Sequence, residues 1–211
     1  MLKETLKSFY ANLSEIDYNH LARVIIIEDS LIGRLNLHLS TMDIAYKAGR
    51  ETKRDLVKND LRLGQIKSID RAYSMVDTPY IFHCEDDWEF YRTGFIEESM
   101  KILETEPDIM QVWLRDRNDT NGHPIIWKEN YGIMKTNYKR TWHGFSFNPG
   151  LRRLSDYQKI APYSQHTEFN FKAPWESEIA IGKLYHQMGM KAAILPNGYV
   201  KHIGENRGIR S

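Results

Sequence analysis

The sequence predicts an α/β fold built on a mixed central sheet. Short apolar runs such as VIIIE and YIFHC alternate with helix-period segments such as GQIKSIDRAYSM and GFIEESMKILET, the pattern of strands interleaved with helices. In the second half several short strand-like runs follow one another too closely for simple β-α winding, so the sheet is expected to be mixed.

Taken in order, Leu2, Leu6, Phe9, Tyr10 and Leu13 recur at helical spacing and predict an amphipathic helix over 2–14. ARVIIIEDS predicts a buried strand over 23–29 ending in acids. The mixed, polar stretch that follows predicts a helix over about 40–48 and an undefined connection to Asp60. A helix is expected from Gly64 to Met75, ended by Thr78-Pro79, and TPYIFHC then predicts a second buried strand. Residues 94–105 read as a helix, 109–116 as a third strand and 118–124 as a turn. Short strands are expected at 125–128, 131–135 and 141–148, and a helix from about Leu151. Pro174 suits the first turn of a helix that reaches Met188 and closes at Gly189, and KAAIL and GYVKHI predict two last strands.

The length of 211 residues fits one domain, and no repeat, low-complexity tract or linker divides it. With 29 Lys plus Arg against 28 Asp plus Glu the charge is +1, which argues against a generic nucleic-acid binder. Cys84 is the only cysteine, which excludes an internal disulfide and a four-cysteine zinc site. No run approaches the ~20 apolar residues of a membrane span, and the first residues lack a signal-type apolar core, so a cytoplasmic chain is expected. Aromatic residues make up 12% of the chain, a content that suits both sugar stacking and core packing.

In IFHCEDDWEF, Glu85, Asp86 and Asp87 lie just past the carboxyl end of a predicted buried strand, where open α/β sheets bind ligands. Three crowded carboxylates repel one another unless a divalent cation or hydrogen bonds offset them; a solvated acidic turn is the competing reading. His202 in YVKHIG is a second ligand candidate. Glu176 and Glu178, at a helix start, sit about 200° apart around the axis, so at most one can face a cleft. Glu178 falls one turn before Ile181, Leu184 and Met188 on the expected buried stripe, where a carboxylate needs a reason.

The order LKETLKSF, VIIIEDS, LGQIKSIDRAYSMVDTPYIFHCEDDWEFY, WHGFSFNPGLRRL, PWESEIAIGKLYHQMGMK and VKHIG resembles inverting glycosyltransferases of the GT-A fold. The likeness is to the broad family-2 type and to the N-acetylglucosaminyltransferase I type, whose acidic DXD-type motif also reads Glu-Asp-Asp. It implies a Rossmann-like GT-A domain with a nucleotide-binding half at 1–90 and an acceptor and sugar half at 91–211. It implies Asp87 and His202 as ligands of Mn2+ or Mg2+, Asp86 at the donor ribose or the metal, and Glu85 in support. Asp29 would read the uracil or ribose, and Gly64, Gln65, Ser68 and Arg71 would flank the nucleotide, Arg71 as a phosphate partner. The base would be Glu178 by its distance from Gly189, or Glu176 by its pairing with Trp175.

The family begins with a strand ahead of the LKETLKSF helix. The chain therefore reads either as a reduced form lacking that strand or as a start internal to a longer reading frame. The expected reaction moves a sugar from a UDP-sugar to a glycan or other hydroxyl acceptor, with the segment from Trp142 to Arg153 shaping the sugar pocket. A sugar-phosphate nucleotidyltransferase is the first alternative, although no Gly-rich basic phosphate loop is present near the N-terminus. A non-catalytic, metal-dependent carbohydrate- or nucleotide-binding domain is the second.

Overall fold

The computed structural model describes residues 1–29, 53–168, 170, 172–173 and 175–204. The helix expected over 40–48 and the placement of Pro174 lie outside these residues. Helix α1 (Leu2–Ala11) buries Leu6, Phe9 and Tyr10, as its apolar spacing dictates. A short helix α2 (Glu15–Asn19) follows, started by a capping box in which Ser14 and Asp17 exchange side-chain and backbone hydrogen bonds. Strand β1 (Arg23–Glu28) runs parallel to β2 (Lys53–Lys58), and both are half-buried rather than fully enclosed.

Helix α3 (Gln65–Tyr73) starts at Gly64, whose φ of 80° lies in the left-handed region. Strand β3 (Tyr80–His83) leads through the acidic triplet into β4 (Trp88–Phe90). Then come α4 (Phe95–Thr105), β5 (Ile109–Trp113), β6 (Ile125–Trp127) and β7 (Gly132–Met134). The chain continues with β8 (Gly150–Arg153), α5 (Leu154–Gln158), α6 (Trp175–Gln187), β9 (Lys191–Ile194) and β10 (Val200–His202). Six strands form a mixed sheet in the order β3-β8-β5-β9-β7-β6, in which only β5 and β9 are parallel.

Two apolar clusters pack against this sheet. One gathers Leu6, Phe9, Phe95, Ile102, Val112 and Val200 around α1 and α4. The other gathers Ile66, Tyr73, Trp113, Phe145, Ile181 and Tyr185 around α3 and α6. Strand β5 is buried throughout because it serves both. A register shift between Ile109 and Gln111 interrupts its alternation, so Met110 and Trp113 share one cluster while Ile109 and Val112 share the other.

Three sequence expectations are corrected here. Residues 141–148 form turns and extended chain, not a strand, and the next strand is β8, where a helix was expected from Leu151. Gly150 explains the difference. A Cβ at this position would stand 2.5 Å from the Val112 carbonyl oxygen, so β8 reaches β5 only with glycine at its first residue. Gly150→Ala is expected to lower stability by about 1–3 kcal/mol, the usual cost of overpacking, read as a fall in the denaturation midpoint at unchanged slope. The stripe on α6 is corrected too: it buries Ser177, Ile181, Gly182 and Tyr185, while Met188 is exposed.

Candidate active site

The polar stripe of α1 positions the acidic triplet. Thr5, Ser8 and Asn12 fall on one side of the helix, and their side chains act as a substitute strand edge. The Thr5 hydroxyl donates to the Asp86 carbonyl (2.8 Å) and accepts from the Trp88 amide (3.2 Å). Ser8 accepts from the Phe90 amide (3.0 Å), and Asn12 donates to the Phe90 carbonyl (2.9 Å). The other edge of β4 pairs antiparallel with β10, which sets His202 opposite Trp88. Asp87 and His202, 115 residues apart in sequence, consequently meet with Oδ2 and Nε2 at 3.0 Å.

Asp87 Oδ1 is buried and has no hydrogen-bond partner. Such an orphaned carboxylate oxygen beside an imidazole nitrogen would suit a divalent cation that takes oxygen and nitrogen ligands. Gly204 lies against the pair, since a Cβ there would stand 2.6 Å from Asp87 Oδ2 and 3.0 Å from His202 Nε2. Among the described residues no group of three or more His, Cys, Asp or Glu side chains converges as a metal site.

Beside this pair lies a cleft of about 200 Å³ lined by Gln65, Glu85, Phe147, Trp175 and Glu178. Gln65 Nε2 donates to Glu85 Oε1 at 2.5 Å. Burial first, then the charges of Asp87 and Glu178, push the Glu85 carboxyl up to about 8. Glu85 therefore feels both ends of the site, the Asp87 pair and the Glu178 carboxylate.

Glu178 projects from the first turn of α6 against the segment that links β7 to β8. Its Oε1 accepts from the Ser146 hydroxyl (2.8 Å) and the Phe147 amide (2.7 Å). Burial raises its carboxyl above the ordinary value, and those two donors with the guanidiniums of Arg152 and Arg115 oppose the rise. The segment is hung on β5 by Trp113, whose indole donates to the Gly144 carbonyl, and by Gln111, whose amide donates to the Ser146 carbonyl, both at 2.8 Å. Ser146 and Gln111 were not singled out from the sequence. A Gln inside the apolar run IMQVW was the available signal, because a buried amide needs partners.

No protein-family model matches the chain, and no curated protein matches it in sequence. Among solved structures, one titled as GalNAc-T7 with UDP, GalNAc and Mn2+ superposes with a TM-score of 0.59 at 10% identity. The match covers 87% of this chain and 37% of that one. The fold is the GT-A glycosyltransferase fold.

On this GT-A scaffold the remaining sequence candidates divide. Gln65 and Glu85 line the cleft with Glu178, whereas Glu176 is exposed and accepts from Asn170 Nδ2 (3.0 Å). Asp86 is exposed at the triplet's centre. Asp29 braces the chain ahead of α3, accepting from Asn59 Nδ2 (2.7 Å) and from the amides of Leu63 and Gly64 (both 2.8 Å). Burial raises its carboxyl, but these donors more than offset that and hold it below the ordinary value. Arg71 donates to Asn59 Oδ1 (2.6 Å) and the Lys58 carbonyl (3.2 Å), tying α3 to the end of β2. Its position three residues after Ser68, which accepts from Asn59 Nδ2 (2.9 Å), gives both side chains the same partner. No helix of the described residues is long and apolar enough to cross a membrane.

Proposed function

We propose that the chain is a metal-dependent, inverting glycosyltransferase that moves a sugar from a UDP-sugar to a hydroxyl of a glycan or other acceptor. The observation that carries this reading is the cleft itself: Glu178 and Glu85 both line it, and Glu85 lies two residues before Asp87, which meets His202. The likeness to a UDP- and Mn2+-bound transferase supports it at the level of fold.

Asp87 and His202 would hold Mn2+ or Mg2+, which when bound supplies positive charge to the diphosphate of the donor. Glu178, oriented by Ser146 and the Phe147 amide, accepts the proton of the acceptor hydroxyl. The acceptor oxygen forms a bond to the anomeric carbon from the side opposite the diphosphate. The bond from that carbon to the diphosphate oxygen breaks, its electron pair leaves with UDP, and the configuration inverts. Asp86 would serve the ribose or the metal, and Asp29 with Gln65 would stand on the nucleotide side.

The experiment is to incubate the protein with UDP-glucose, UDP-galactose and other UDP-sugars plus Mn2+ and measure UDP. Metal-dependent release supports the reading, and no release from any donor counts against it. Trp175, 54% exposed at the mouth of the cleft, offers a stacking face for an acceptor sugar. Trp175→Ala is expected to raise the acceptor KM about five- to tenfold with little change in kcat or thermal midpoint. Steady-state kinetics with varied acceptor would show this, and an unchanged KM would remove Trp175 from the acceptor site.

A further inference from the structure

We infer that Arg152 is a positioning residue for this site: its buried guanidinium, bound to Ser146, keeps the neighbouring Glu178 carboxylate ionised. The inference rests on the reading of Glu178 as the base. Arg152 is only 2% exposed, yet among the described residues no carboxylate forms an ion pair with it. Its Nε and Nη1 are buried without hydrogen-bond partners, and Nη2 donates to the Ser146 carbonyl at 3.1 Å. The rings of Phe145 and Tyr73 face its charge at 5.2 and 5.9 Å.

A buried cation without a carboxylate partner costs stability, so its place on β8 calls for a role. Ser146 supplies the connection. Its carbonyl takes the Arg152 hydrogen bond while its hydroxyl donates to Glu178 Oε1. The groups that act on Glu178 are Glu85 beyond β3, Arg115 beyond β5, Arg152 on β8 and the Ser146–Phe147 segment. Those around Arg152 are His83 of β3, Tyr73 of α3, Tyr163 in the segment between α5 and α6, and Tyr185 of α6. Burial, reinforced by the charge of Arg152, holds His83 well below the ordinary imidazole value, so it adds no competing cation. The negative charge of Glu85 opposes ionisation of Glu178 when both are charged, and the two guanidiniums work against it.

The test follows the Glu178 carboxyl directly by ¹³C-detected NMR across pH, with the signal assigned through Glu178→Gln. Arg152→Gln removes the charge and keeps an amide able to donate to Ser146; Arg152→Lys keeps the charge and loses the planar fork. The titration midpoint of Glu178 is expected to rise by about one pH unit in Arg152→Gln and to stay near the wild-type value in Arg152→Lys. In an active enzyme the acidic limb of the kcat/KM profile moves with it.

An unmoved midpoint in folded Arg152→Gln overturns the inference. So does a midpoint that rises equally in Arg152→Lys, which would assign the effect to the hydrogen bond. If Arg152→Gln fails to fold, wild type and Arg152→Lys decide: Glu178 ionised below pH 7 in both supports the inference, and a wild-type midpoint above 7 overturns it. The titration needs no turnover. Absence of UDP release therefore sinks the transferase reading alone, whereas an unmoved midpoint sinks only the role of Arg152.

Discussion

Asp87→Ala is expected to abolish Mn2+-dependent UDP release, by about a thousandfold or more, while the protein stays folded. The magnitude follows from the charge that departs with the diphosphate: a cation supplies several kcal/mol to that step, and each 1.36 kcal/mol is tenfold in rate. The mild effect on folding follows from the geometry. Asp87 has one buried oxygen with no partner and one that meets His202, so truncation removes an uncompensated acceptor together with a single hydrogen bond. The net change in stability is expected to be under about 1 kcal/mol. UDP release titrated with Mn2+ and a thermal melt check both halves. Activity that survives at a wild-type metal response would reduce the triplet to a turn ahead of β4.

Glu178→Gln and Glu176→Gln are expected to part company. A positioned base contributes about 10²–10⁴ in rate, so Glu178→Gln should lose that much kcat and still bind the UDP-sugar. The amide keeps the size of the carboxylate and can still accept from Ser146 and Phe147, which leaves the cleft in shape. Glu176 is turned to Asn170 at the surface, and its substitution should leave kcat within about twofold. Single-turnover rates together with donor binding by calorimetry make the comparison; equal, mild losses in both variants would remove the base from α6.

Much of the scaffold was legible because apolar spacing reports burial directly. LKETLKSFYA, QIKSIDRAY and FIEESMKILET carry the helical period and fold as α1, α3 and α4. GLRR did not show itself as a strand, because Leu151 and Leu154 stand at helical spacing and only the close approach of Gly150 to Val112 selects pairing. KRDLVK, the β2 strand, was missed for its charges: its ladder to β1 is half-exposed and leaves no continuous apolar run.

The site divides along the same line. Acids at a strand end are a local pattern, and so are two glutamates on opposite sides of a helix. The contacts that orient them are not. Thr5 of α1 holds the Asp86 carbonyl and the Trp88 amide, and Gln111 carries the segment that holds Glu178. These are side-chain-to-backbone bonds between distant stretches, and neither periodicity nor spacing encodes them.

The meeting of Asp87 with His202 has a further consequence in terms of chain entropy. Strand β10 is three residues long, and it joins β4 to close a loop of more than half the chain. Closing so long a loop costs little more than closing one of half the length, because the cost grows only with its logarithm. A short ladder can therefore hold the closure, and an ion gripped by both side chains would cross-link the two ends of that loop. Ion affinity and the stability of the C-terminal ladder would then draw on one free energy.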